Sequence, residues 1–85
     1  MKFVKTRSGR FLSVLHMISL SVEETKIEID GKKRLVYKLI AHMSQPLLPA
    51  VLGIYSTEDK AYTVLEDIVK RLSGNEKIVG VESEF

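Results

Sequence analysis

Residues 54–74, IYSTEDKAYTVLEDIVKRLSG, decide how this chain folds. Ser56 or Thr57 offers a hydroxyl to a free backbone N–H at a helix start. Glu58 and Asp59 follow in the first turn, where the positive end of the helix dipole favours carboxylates. Ala61, Leu65, Ile68 and Leu72 then form one apolar stripe at helical spacing. Val64 and Val69 widen it to the face of a helix lying on a sheet. Glu66–Lys70 and Asp67–Arg71 are i,i+4 pairs on the outer face. Lys70 and Arg71 suit the last turn, and Gly74 suits the position just past it. The pattern predicts a helix over Glu58–Leu72, within 58–73, and every polar residue in it has a structural role.

Working towards the N-terminus, the periodicity changes from helical to two. "AVLGIY", Ala50–Tyr55, reads as the strand that feeds the helix, and Gly53 in it marks a bulge or a close contact. "SQPLLP", Ser44–Pro49, breaks the sheet because proline cannot donate to a ladder. "RLVYKLIAHM", Arg34–Met43, is a strand with Leu35, Tyr37, Leu39 and Ala41 on one face. Val36 and Ile40 on its other face predict a central strand, partly covered on both sides. Asp30-Gly31 is the strongest hairpin signal in the chain. Ile18, Leu20 and Val22 alternate on even numbers and Ile27 and Ile29 on odd ones. A straight strand would carry the second set to the wrong face, so a bulge or turn is expected between Glu23 and Lys26. "RSGR", Arg7–Arg10, is a tight turn after a short strand Phe3–Thr6. The tail 75–85 adds an edge strand near Lys77–Val81 and frays beyond it.

Eighty-five residues make one domain, 1–85, that buries only about 60–65% of the surface of its unfolded chain. There is no cysteine, so no disulfide stiffens it and no thiolate serves a metal or a reaction. The opening "MKFVKTRSGRFLSVLHMISLSV" has the outline of a signal peptide. His16 interrupts its apolar run, which is too short to span a bilayer and fits a strand, so a cytoplasmic protein without a membrane partner is expected.

The sequence argues against catalysis. His16 and His42 fall short of a zinc site without a third and fourth ligand. No nucleophile elbow, phosphate loop or dinucleotide fingerprint occurs. Glu23-Glu24 reads as part of a turn or bulge and Glu58-Asp59 as a helix start, and neither sits in an apolar setting that suits acid–base work. No catalytic residue, metal ligand or cofactor is assigned.

Binding is the remaining class. Residues 1–40 carry nine Lys/Arg against four Asp/Glu, a net of +5, and the rest of the chain carries −3. In an up-and-down meander the first and third turns share an end. With one reversal between them, near His16 or at Glu23–Lys26, that places Arg7, Arg10, Lys32, Lys33 and Arg34 together as a candidate anion-binding surface, and reversal at both sites dissolves it. Aromatic platforms for bases are scarce there, since Phe11 and Tyr37 both fit the core. One helix covers one side of a sheet. Val36, Ile40, Leu47 and Leu48 are therefore candidate interface residues on the uncovered side and the proline loop.

"FVKTRSGRFLSVLHMISLSVEE" together with "VLGIYSTEDKAYTVLEDIVKRL" resembles a loose group of small Gram-positive bacterial and phage-type proteins. They share a K-T-x-x-G start and a G-x-Y-x-[ST]-E-x-x-A-x-x-x-L ending, here Gly53, Tyr55, Thr57, Glu58, Ala61 and Leu65. The resemblance implies a β-meander followed by one helix in a bacterial cytoplasm, and it transfers no functional residue. "SQPLLP" and the tail after Gly74 depart from the pattern.

The expectation is an α+β domain: an antiparallel meander of four to five strands, about residues 2–55, with one C-terminal helix packed on one face. The function expected is a small non-enzymatic interaction module, a homodimer or the binder of a protein partner. The alternative is a nucleic-acid or polyanion binder acting through basic hairpin tips.

Overall fold

The computed structural model describes residues 1–85 as an α+β domain. In chain order the elements are β1 (Phe3–Lys5), β2 (Phe11–Ser13), a 3₁₀ turn (Val14–His16), β3 (Met17–Ile29), β4 (Lys32–Met43), β5 (Ala50–Tyr55), α1 (Glu58–Leu72) and β6 (Ile78–Gly80). The strands form two three-stranded sheets, ordered β2-β1-β6 and β3-β4-β5. The second is an antiparallel meander, and α1 packs against all three of its strands.

The opening hairpin does not extend the meander. The 3₁₀ turn ends β2, and the chain then enters a new sheet. Strand β1 becomes the centre of the smaller sheet, antiparallel to β2 and parallel to β6. Val4, Leu12 and Val79 carry this sheet into the same core as Leu39, Ala41, Leu52, Tyr55, Ala61 and Ile68. The tail is therefore part of the fold, because β6 supplies the buried Val79.

Turn chemistry follows the sequence. Asp30 and Gly31 both take positive φ, at 52° and 77°, as a two-residue hairpin of this type requires. Gly9 does the same at 86° between Arg7 and Arg10, and buried Thr6 accepts the Arg10 N–H on its hydroxyl.

Strand β3 runs without a break through Glu23–Lys26. Its one irregularity lies between Met17 and Ser19, so the expected reset of phase is absent and Glu23-Glu24 sits mid-strand. Leu20 and Val22 pack on the core, and the odd-numbered Thr25, Ile27 and Ile29 lie on the opposite face. This works because β5 pairs with β4 only as far as Tyr37. Beyond it the β3–β4 hairpin is a two-stranded arm of five residue pairs, about 17 Å long, with no helix to face.

The bulge instead falls in β5. Leu39 pairs with Gly53 and Ile40 with Val51, so Leu52 is the extra residue. The phase shift brings Ala50, Leu52 and Tyr55 into one core. On α1, Ala61 and Ile68 are buried and Val64, Leu65 and Leu72 pack against the core, whereas Val69 is 48% exposed. Thr57 caps the helix, its hydroxyl oxygen 3.2 Å from the Lys60 N–H. The C-terminus closes without a left-handed glycine. Ser73 N–H donates to Val69 O and Gly74 N–H to Arg71 O, and the Lys2 ammonium donates to the carbonyls of Leu72 and Gly74.

Candidate functional site

Sheet edges are where a small α+β domain exposes unused backbone polarity. Three of the four edges here differ sharply in how they are closed. The free edge of β5 is bonded to the chain itself at Leu52 and Ile54. Leu52 O accepts Arg7 N–H at 2.9 Å, and Ile54 N–H donates to the Ser83 hydroxyl at 2.8 Å. Ile54 O accepts Glu84 N–H at 3.1 Å, and Ser56 N–H donates to the Glu84 carboxylate at 3.0 Å. At β6, Arg71 Nη1 reaches Gly80 O at 3.4 Å. Strand β3 has no such cover. Met17 N–H donates to Val14 O in the 3₁₀ turn, and from Ile18 to Ile29 the backbone bonds are those of the ladder with β4, leaving the outward groups without a partner within the chain.

The open edge begins beside an apolar end. His16 O accepts Ser44 N–H at 2.7 Å, which places the 3₁₀ turn next to the proline loop. Leu15 is 77% exposed, Ile18 69% and Leu48 83%, with Leu47 about half exposed. Ile18 is pushed outward because it stands at the irregularity between Met17 and Ser19. Leu47 and Leu48, with Arg10, Leu12, Met43 and Pro46, line an open groove of about 350 Å³. Met1, Lys2, Val14 and Leu15 line a second, of about 470 Å³. Together these residues give one end of the molecule its apolar character.

The interface residues expected from sequence divide accordingly. Leu47 and Leu48 are exposed, but Val36 is 1% and Ile40 8% accessible within a single chain. Neither of the latter has surface left to offer a partner. Leu15 and Ile18 are the large apolar side chains that stand exposed with the two leucines. Their signal was the apolar run "FLSVLHMISL", whose excess over a strict period of two has to leave the core somewhere.

The five cations expected together are dispersed. Arg7 is bonded through its backbone to Leu52, level with Leu39 on β4, and its Nε donates to Phe85 O at 2.7 Å. Lys33 lies six residues further along β4, roughly 20 Å away, beyond a Debye length of about 8–10 Å. Arg10 is beside Met43, at the far end of that strand. Lys32, Lys33 and Arg34 remain together and exposed on the arm. The separation follows from the opening hairpin joining its own sheet.

His16 is exposed, 3.3 Å from the Ser44 hydroxyl, and His42 Nε2 is 2.8 Å from the Ser21 hydroxyl. No group of three His, Cys, Asp or Glu side chains gathers for a metal ion. The largest groove, about 600 Å³ between α1 and β6, contains Asp67, Arg71 and Glu82. Arg71 is already paired, with Glu76 at 2.7 Å and Asp67 at 3.7 Å. Its guanidinium is raised above its usual range, chiefly by the hydrogen bond to Glu76. The Tyr55 hydroxyl is pushed up to about 12 by burial, reinforced by Glu82 and Glu84, and it donates to Glu82 O. It is a structural hydroxyl, neutral at physiological pH.

Comparison with known protein families, with curated proteins and with solved structures gives no match. No helix of the chain is long and apolar enough to cross a membrane.

Proposed function

We propose that this protein is a small non-enzymatic interaction module of the cytoplasm that self-associates through β3. The observation that carries the reading is the uncovered edge of that strand from Ile18 to Ile29, whereas the opposite edge of the sheet, on β5, is bonded to the chain itself at Leu52 and Ile54. A two-fold axis through Ser21 sets Leu20 opposite Val22 twice and keeps the glutamates apart. Registers centred on Glu23 or Glu24 bring like charges face to face, which is destabilising. The contact is isologous and closes as a dimer, with Ile18 inside it and Leu15 at its border. Glu23, Glu24, Lys26 and Glu28 act against longer-range stacking of edges.

Sedimentation velocity over about 1–100 μM tests the reading. Dimer formation is expected for the native chain, and a shift to monomer for Ile18→Lys. A native chain that stays monomeric throughout, with no concentration dependence, removes the proposal.

The second reading, polyanion binding, rests on the projecting arm with Lys32, Lys33 and Arg34 exposed, since a two-stranded ribbon fits a major groove. It requires a gel shift with DNA or RNA that weakens steeply on adding salt and is lost in Lys32→Glu/Lys33→Glu. The absence of any shift at low salt eliminates it.

A further inference from the structure

We infer that the outer edge of β5, with the first turn of α1, is a binding site for an extended acidic peptide, and that residues 82–85 occupy it as a displaceable internal ligand. The inference rests on residues other than those of β3 and stands independently of self-association. The acceptor reads the segment as a ligand is read. Ser83 stands where a neighbouring strand would: its hydroxyl accepts Ile54 N–H at 2.8 Å and donates to Ile54 O at 3.2 Å. Glu84 N–H adds a ladder bond to the same carbonyl at 3.1 Å. The Glu84 carboxylate then reaches the helix start. It accepts the Ser56 N–H and hydroxyl, each at 3.0 Å, and pairs with the Lys60 ammonium at 3.3 Å. The buried Tyr55 hydroxyl donates to Glu82 O behind it, and Arg7 Nε closes the far side on Phe85 O.

Main-chain bonds along a sheet edge combined with one carboxylate pocket make a peptide-augmentation site. The contacts that hold the segment are polar and partly or wholly exposed, so local opening costs far less than unfolding of the core. A segment in trans makes the same bonds provided it is extended and carries a hydroxyl residue followed by a carboxylate. The chain's own tail therefore competes with such a partner.

The test uses the full chain in two forms, native and Ser83→Ala/Glu84→Lys, and a fluorescent peptide of sequence VGVESEF. The double variant weakens the internal ligand and leaves the acceptor intact. It is expected to bind the peptide at least tenfold more tightly than the native chain. A peptide with Ala for Ser and Gln for Glu in the corresponding positions is expected to lose that binding. Equal affinity of the two proteins, or no binding to a variant with a native circular dichroism spectrum, overturns the inference. If the variant fails to fold, amide exchange on the native chain decides. Exchange at Glu84 and Ser56 at least a hundredfold faster than at Leu39 is the result expected of a displaceable segment. Exchange at the same rate as Leu39 refutes it.

Discussion

Tyr55 lies back over Gly53, so closely that a Cβ built on residue 53 would stand 2.2 Å from the tyrosine hydroxyl oxygen and 2.8 Å from Cζ. Residue 53 is thus a glycine for space, at a φ that any residue adopts. Adding one methyl forces the ring out of a site where it is 1% accessible. Gly53→Ala should cost about 2–3 kcal/mol in urea denaturation, within the range of core overpacking. In a Tyr55→Leu background the same change should cost clearly less, because the two side chains share one space.

The hydroxyl of that ring gives a pH dependence with a definite sign. Its folded value is about 12, above the ordinary 10.0 for tyrosine. The neutral form is favoured in the folded state, so its contribution is complete below pH 10 and lost as pH rises towards 12. Tyr55→Phe should lower stability by about 1 kcal/mol at neutral pH, through the unpaired Glu82 carbonyl. It should also flatten the decline in stability between pH 10 and 12 that is expected of the native chain in denaturation experiments.

Glu84 has the opposite sign. Its carboxylate is held below the ordinary glutamate value of 4.5, first by the Ser56 N–H and then by the Ser56 hydroxyl and Lys60, with desolvation opposing. Its hold on the helix start is present above pH 4.5 and lost as pH falls through the lowered folded value. NMR amide shifts of Ser56 and Lys60 should move together below pH 4.5, and Glu84→Gln should abolish that movement.

Neighbouring helix positions separate the core from its rim. Ile68 is 1% accessible, and Ile68→Ala should cost about 3–4 kcal/mol. Val69→Ala should stay within about 0.5 kcal/mol, because that side chain faces water and alanine is the better helix former. Thermal denaturation of the pair is sufficient.

The same contrast explains what could be read in the chain before its structure. The bounds of α1 follow from Thr57, Glu58 and the stripe Ala61–Leu65–Ile68–Leu72, because capping and helical period are local signals. Asp30-Gly31 was legible for the same reason. Val69 was not, since periodicity gives a face but not its width. The partition into two sheets depends on β1 pairing with β6 across more than seventy residues, and no local pattern carries that information. The expected bulge at Glu23–Lys26 rested on a core extending along all of β3, whereas β5 stops at Tyr37. The cation cluster failed with the meander that was to assemble it. Lys2 at the helix C-terminus and Glu84 at its start are likewise contacts over long sequence separations.

Because the chain lacks cysteine, a single Ser21→Cys substitution tests β3 self-pairing most directly. Across the proposed axis the two Cβ atoms would lie about 4.5–5.5 Å apart, near enough for a disulfide after small adjustment. Mild oxidation should convert most of this variant to a covalent dimer, while Glu28→Cys on the same strand stays monomeric. If Ser21→Cys remains uncrosslinked, or Glu28→Cys crosslinks as readily, β3 does not pair with itself in this way.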